Sequence, residues 1–338
     1  MAFLIRPFLA LILMIPALAN AKSYTYDSYR IWGLSNAARG EGIQSGDINL
    51  KGQVVGTYRQ LDGAGVLHYH GYTLKDGQMT YPIDYQGATN TVLLAVNRSG
   101  TATGVTQVKN GTDTEPRIYG VVLDRLGFRL VDHPNAVYTA LTAINDRGEI
   151  AGYYKDRGTQ AVTGFIYRNG RFLDLKAQIP QLISVTGIDG RGRVSGVYAG
   201  FNAPFWSKNK QAELLTTPTG VYGPQGLAPW VFINNRGELA GSSSGSGFLW
   251  KAGSLRQIVI PGASSTVVED LNQAGHLALT GSLGGLRQSF VYDRGQYFRL
   301  DVTDAAESRA LGLNEARAVV GAYAVAPQGV FDRLYVAR

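Results

Sequence analysis

Four histidines, His68, His70, His133 and His276, and no cysteine make up the soft metal ligands of this 338-residue chain. His68 and His70 stand two apart in LHYHGY, which puts both on one side of a strand because strand side chains alternate. Such a pair is the beginning of a metal site, but a third ligand is needed, and it would have to be His133 brought back to a shared axis. Without that return the pair is strand-face or loop decoration, and neither a metal nor any other cofactor is expected. His276 follows Gly275 in a turn and is expected at the surface. Serine hydrolysis would need a histidine base, and no G-x-S-x-G elbow or phosphate-binding glycine loop stands in the required context. The run SSSGSG, Ser242–Gly247, reads as a short flexible connector with no helix behind it to hold an anion. Glu269 and Asp270 are adjacent, and neighbours on a strand face opposite ways, which argues against their acting as one acid–base pair. No catalytic residue is assigned.

What must position these residues is written elsewhere in the chain. The first residues, MAFLIRPFLALILMIPALANAK, carry Arg6, an apolar stretch and an Ala-Asn-Ala site, the pattern of a secretory signal over 1–21. The apolar run is too short and too broken by Arg6 and Pro16 to be a spanning helix, and no later segment is apolar enough to cross a bilayer. The remainder, 22–338, is expected to be one domain, secreted or periplasmic, and monomeric. With no cysteine its stability must come from a large core. Its 43 glycines and 19 tyrosines, with 17% charged residues, suit strands and tight turns. The formal charge of +7 is scattered. A nucleic-acid groove would need a basic stripe with aromatic platforms, so no nucleic-acid partner is expected.

The stretch INDRGEIAGYY at Ile144–Tyr154 returns as INNRGELAGSS at Ile233–Ser243. Anchored on Asn145, the same pattern recurs at Asn49, Asn97, Asp189, Asn234, Asn272 and Asn314, seven copies spaced by 48, 48, 44, 45, 38 and 42 residues. Periods of this size mean a propeller or a solenoid. An aliphatic residue precedes every anchor, and glycine follows three residues later except at Arg317. An Asx residue opening the loop and a glycine closing it is hairpin chemistry. Only scattered copies carry the alternate carboxylates of a calcium loop. Seven residues past the anchor a second glycine, replaced by Leu279 in the sixth copy, marks close backbone approach inside a strand.

Each copy continues with a third strand such as GFIYRNG and a fourth such as RFLDL. Aromatics recur in the third strands, Phe165, Tyr167, Trp206, Phe248, Trp250, Phe290 and Tyr292, and read as packing between blades. The seventh copy ends the chain at FDRLYVAR without a fourth strand. YRIWGL, Tyr29–Leu34, precedes the first anchor and has the fourth-strand pattern. The expected fold is therefore all-β: a seven-bladed β-propeller of four-stranded blades, closed when this N-terminal strand completes the last blade against Phe331–Arg338.

On the units AINDRGEIAGYYKDRGTQAVTGFIYRNGRFLDL and FINNRGELAG followed by GFLWKAG, the chain resembles the HAF repeat family of bacterial extracellular repeat proteins. The resemblance implies an exported repeat protein; the family carries no assigned catalytic residues to transfer.

In a propeller the second-to-third and fourth-to-first connections share one face around the channel. His68, His70, Arg117, Tyr222, Trp230, Arg287 and Arg309 fall there. Tyr222 and Trp230 lie in PTGVYGPQGLAPWV, Pro218–Val231, which reads as the longest connection between blades and so as a place for binding residues. The function expected is non-catalytic recognition of a glycan, peptide or cell-envelope partner on that face. The alternative is a lyase or hydrolase at the channel mouth using His68, His70 or loop carboxylates. Convergence of three ligands would favour the enzyme, because the fold itself hosts many activities.

Overall fold

The computed structural model describes residues 24–109, 115–175, 182–198, 203–208, 211–215, 218, 220–222 and 230–338. The expected leader, 1–21, lies outside them. The described elements are strands, apart from one short 3-10 turn at Ala37–Arg39. They form seven antiparallel sheets, six running in chain order from the axis to the rim and the seventh with the first strand of the chain at its rim. The innermost strands of blades 1 to 4 are Gly42–Ile48, Ala88–Val96, Ala136–Ile144 and Leu182–Ile188. Those of blades 6 and 7 are Ser265–Leu271 and Glu307–Leu313. Every residue of Glu307–Leu313 is buried, whereas the rim strand Gln78–Ile83 alternates exposed and half-buried positions. Inner strands are sandwiched by both neighbours, and outer strands keep one wet face.

The seam closes as the ends predicted. Tyr26–Arg30 is the fourth strand of blade 7 and pairs with Arg333–Ala337, with Tyr29 opposite Leu334. The paired segment starts earlier than the expected Tyr29–Leu34 and ends at Arg30. Beyond it, Ile31 N donates to Asp332 O at 2.9 Å, and the chain then turns at Gly33, where φ is +88°. Ile31 and Leu34 leave the sheet because their side chains are drawn into the core between blades 7 and 1, with Ile43, Leu334 and Val336.

The anchors do more than make turns. In all seven hairpins the anchor Oδ1 accepts two backbone N–H groups, as Asn97 does from Ser99 (3.1 Å) and Thr101 (3.0 Å). The amide N of each Asn anchor is then turned outward to the backbone carbonyl of the next blade's anchor. Asn49 donates to Asn97 O at 2.9 Å, Asn97 to Asn145 O at 3.2 Å, and Asn145 to Asp189 O at 2.9 Å. Asn234 donates to Asn272 O at 3.1 Å, Asn272 to Asn314 O at 3.1 Å, and Asn314 back to Asn49 O at 3.0 Å. The one link an Asp cannot make is supplied by Arg193, whose Nη2 donates to Asn234 O at 3.1 Å. A buried ring of hydrogen bonds thus tracks the closed order of the blades. His276 belongs to this layer: it is 4% exposed, with Nδ1 3.1 Å from Asn272 Nδ2 and Nε2 3.3 Å from Asp293 Oδ1. The surface position expected for it is corrected by these partners.

The strand glycines leave room for two things. A Cβ on Gly152 would meet Ala140 O at 2.1 Å and the Phe165 ring at 2.8 Å. Ala140 stands beside a register shift in the innermost strand, and Phe165 is the third-strand residue paired with Gly152. The same approach recurs at Gly196 with Ser184 O and Phe205, and at Gly321 with Arg309 O and Tyr335. Phe165, Phe248, Trp250, Phe290 and Tyr292 are buried, as expected of packing residues, and Tyr167 is half-buried. The Trp206 side chain lies outside the described residues.

Blade 5 departs from the pattern, and the expected inter-blade connection Pro218–Val231 is corrected here. Val221 and Tyr222 already pair with Ser243 and Ser242 of blade 5's second strand, and Val231–Ile233 resumes the pairing at Gly241–Leu239. The partners Ser242 and Gly241 are adjacent, so Tyr222 and Val231, nine apart in sequence, take neighbouring positions along the innermost strand, while 223–229 lie outside the described residues. This break in register stands one pair away from the β-bulge that other blades carry, such as that between Val185 and Gly187. The SSSGSG run is likewise a tight hairpin, with Ser243 paired to Ser246 across Ser244–Gly245.

Candidate functional site

A channel of about 180 Å³ runs along the axis, walled by the innermost strands. Its wall is set largely by the residue two before each anchor: Asp47, Ala95, Ala143, Gly187, Phe232 and Asp270 all line it. Small residues keep it open, and Phe232, with Trp230 at a ring separation of 6.4 Å, narrows it on the blade 5 side. Glu269 also lines the channel, because the register shift between Val268 and Asp270 interrupts the alternation that would have turned Glu269 and Asp270 apart.

Asp47 and Asp270 are held alike. Asp47 accepts Ile48 N at 2.8 Å and Val96 N at 2.7 Å; Asp270 accepts Leu271 N and Leu313 N, both at 2.7 Å. Desolvation raises both carboxyls above the ordinary carboxylate range despite these N–H donors, and the charge of Asp47 pushes Asp270 further.

At the loop-face mouth of the channel a larger cleft, about 530 Å³, opens across blades 6, 7 and 1. Arg287 comes from the third strand of blade 6, Arg309 from the innermost strand of blade 7, and Arg59 from the second strand of blade 1. The Arg309 and Arg287 guanidiniums lie 4.9 and 5.5 Å from the centre of the Phe331 ring. Arg309 is only 3% exposed, and desolvation lowers its pKa to about 10 against the attraction of Glu269, with Arg287 and Arg59 lowering it further. Glu41 and Glu307 share the cleft. Burial would raise the Glu41 carboxyl, but N–H groups of Leu61, Ser35 and Asn36 at 2.7–2.9 Å hold it below its usual value. Glu307 takes the backbone N–H groups of Arg287 and Gln328.

The residues expected in the site divide. Arg287 and Arg309 meet in the cleft, and Trp230 stands in the channel wall. Tyr222 is half-buried in its strand pair with Ser242, and burial raises its phenol pKa. Arg117 is occupied in joining blade 2 to blade 3: it donates to Asp132 at 2.9 Å, Ala136 O at 2.7 Å and Val137 O at 2.9 Å. His68 and His70 share a strand face, with rings 6.4 Å apart. His68 Nε2 lies 3.0 Å from Asp62 Oδ2, and His70 Nδ1 lies 2.7 Å from Asp84 Oδ2. His133 does not join them; it is buried in blade 3, stacked on Tyr154 at 3.7 Å. Among the described residues no three His, Asp or Glu side chains are grouped to hold a metal ion.

Arg59, Asp47, Phe232 and the Glu269–Asp270 pair escaped sequence reasoning as site residues. A signal existed: each breaks the repeat. Five before the anchor, where Arg309 stands, blades 2, 3 and 4 have Val92, Ala140 and Ser184; ten after it, where Arg59 stands, blade 3 also has a cation, Lys155, but blades 5, 6 and 7 have Ser244, Ser282 and Ala324.

No protein-family model and no curated protein matches the sequence. Solved structures do. The β-propeller domain of the Trilobed protease from Pyrococcus furiosus, described as having an open velcro topology, is 12% identical, with a TM-score of 0.56 over 88% of this chain and 93% of its own. YCF48 bound to D1 peptide is 10% identical, with a TM-score of 0.54 over 95% of this chain and 99% of its own. YCF48 from Cyanidioschyzon merolae is 11% identical, with a TM-score of 0.54 over 92% and 98%. At such identities the likeness is one of fold, and the fold is a seven-bladed β-propeller with its ring closed by Tyr26–Arg30.

Proposed function

We propose that the chain is an exported, non-catalytic recognition propeller of the HAF repeat kind, which binds a peptide, glycan or other cell-envelope partner on its loop face. The observation that carries this reading is where the repeat is broken. Trp230, Phe232, Arg59, Arg287 and Arg309 are not called for by the blade pattern, and they lie on the channel wall or in the cleft at its mouth. A stiff ring that gathers aromatic and cationic exceptions at one end suits binding better than bond-breaking chemistry. The signal-like 1–21 segment supports export, and among the described residues no helix is long and apolar enough to cross a membrane. A propeller of similar fold with a bound peptide shows that such a ring can host one.

The test is to screen residues 22–338 against glycan and peptide arrays. Binding to at least one ligand class is expected, weakened about 30-fold by the pair Tyr222→Ala and Trp230→Ala, in line with the roughly 2 kcal/mol of an aromatic hot spot. An absence of binding on both arrays would overturn the reading, as would affinity indifferent both to that pair and to Arg287→Ala.

A further inference from the structure

Two of the three arginines in the cleft are placed at a cost that the fold does not recover. The Nε atoms of Arg59 and Arg309 are buried with no hydrogen-bond partner, and among the described residues none of Arg59, Arg287 and Arg309 is in an ion pair. The two glutamates that could have paired with them turn instead to backbone N–H groups. Glu41 fixes the connector from the seam strand through Ser35 and Asn36, and Glu307 fixes the turn at Gln328. Elsewhere in this chain buried cation and carboxylate find each other, as Arg193 and Asp189 do at 2.6 Å. A guanidinium buried as that of Arg309 is, with no acceptor, is costly, so a cleft that sets it beside the half-buried Arg59 and the exposed Arg287 has an acceptor still to come.

The charge and the walls narrow what that acceptor is. Among the lining residues three guanidiniums face two carboxylates, and a third carboxylate, Glu269, attracts Arg309 from the channel side. So many carboxylates oppose a dianionic phosphate, and a singly charged group is the anion that the cleft suits. The guanidinium fork suits the planar carboxylate. Ile43 and Phe331 supply an apolar wall beside the cations, while Ala37, Ala38, Gly285 and Gly329 keep the lining low. A carboxylate carried next to an apolar side chain is the chemistry of a peptide's last residue.

We infer that this cleft binds a peptide by the carboxylate of its C-terminal residue, with Arg309 and Arg59 beneath the carboxylate and Arg287 at the rim. This rests on the recognition reading above and names its ligand. Arg287 is the exposed member of the three, so its variant tests the site without disturbing the core.

The experiment uses immobilised 22–338 protein and a pool of N-acetylated random hexapeptides, made once as free acids and once as C-terminal amides. The free-acid pool is expected to be retained about 10-fold or more above the amide pool, and Arg287→Ala and Arg309→Met are each expected to remove about that factor, the worth of a charge-assisted bond. Circular dichroism verifies that Arg309→Met folds, and Arg287→Ala decides if it does not. Equal retention of the two pools, or retention unchanged by Arg287→Ala, overturns the inference. If both pools bind equally and binding falls with Trp230→Ala, the carboxylate assignment fails while recognition stands. If neither pool nor any glycan binds, both fail.

Discussion

Asp189 is the single anchor that cannot donate, and the residue four positions on compensates for it. In blades 3 and 5 that position holds Glu149 and Glu238, whose carboxylates accept the anchor amide at 2.8 and 2.6 Å. In blade 4 the polarity is reversed: Asp189 Oδ2 accepts Arg193 Nε at 2.6 Å, and the other arm of Arg193 carries the bond to blade 5. The exchange is thus a coupled pair of substitutions, with the inter-blade link preserved. Asp189→Asn leaves a buried guanidinium without its carboxylate, and Arg193→Glu sets two buried carboxylates together; each is expected to cost about 2–4 kcal/mol. The double variant recreates the arrangement of blades 3 and 5, with Arg191 in the place of Arg147 and Arg236, and should lie within about 1 kcal/mol of the starting protein. Urea unfolding of the four proteins measures the cycle, and additive losses would refute the compensation.

The innermost strand is the element that carries both architecture and exception. Its residue two before the anchor is small in blades 2, 3, 4 and 7, but Asp47 and Asp270 flank the glycine of blade 7 and bring two carboxyls toward one narrow channel. Desolvation raises both above the roughly 3.9 of an unfolded aspartate. The folded chain therefore holds protons that the unfolded chain has released, so the contribution of these groups to stability is greatest on the acid side and is lost as pH rises toward neutrality. Asp270→Asn removes the more strongly shifted group and its repulsion with Asp47. Between about pH 5 and pH 8 the fall in unfolding free energy should be shallower in the variant than in the parent, and parallel profiles would refute the assignment. This scale also marks how far the sequence could be read. Anchor spacing and the hairpin glycines disclosed the blades because each is a local demand, repeated in seven and in six copies, and the unmatched ends disclosed the closure. The break in blade 5's innermost strand between Tyr222 and Val231 has no sequence signature, because Val221–Tyr222 joins its sheet through pairing to Ser242 and Ser243 rather than through any motif. The Glu269–Asp270 pair was misjudged because strict alternation ignores a bulge. Arg287 and Arg309 were picked out as loop-face residues, but their meeting with Arg59 depends on blades 6, 7 and 1 being neighbours across the closed seam.

For the molecule as a whole, the consequence of closure is that Arg333–Ala337 is paired on both sides and blade 7 ends, like its neighbours, in a fourth strand. Thr25 N donates to Arg338 O at 3.1 Å and Arg338 N to Thr25 O at 3.0 Å, so the described ends are already hydrogen-bonded neighbours. If the ring rather than the position of the termini holds the fold, the chain can be opened elsewhere. Joining Arg338 to Thr25 by a short linker and cutting at the exposed Asp76–Gly77 turn moves the seam to blade 1, where Gln78–Ile83 becomes the N-terminal strand pairing with Leu67–Lys75. That permutant should unfold within about 2 kcal/mol of the parent, since only a surface loop closure has been exchanged for another. Deleting Tyr26–Arg30 from the unpermuted chain should behave quite differently. It strips the partner from Arg333–Ala337 and removes the Ser28–Tyr323 and Arg30–Asp332 contacts at 2.6 and 2.7 Å, exposing an apolar edge primed for pairing between molecules. Urea unfolding with size-exclusion chromatography separates the cases: a monomeric, stable permutant beside a self-associating deletion supports closure as the source of integrity. A deletion as stable and monomeric as the parent would show that the seven wedges hold together without it.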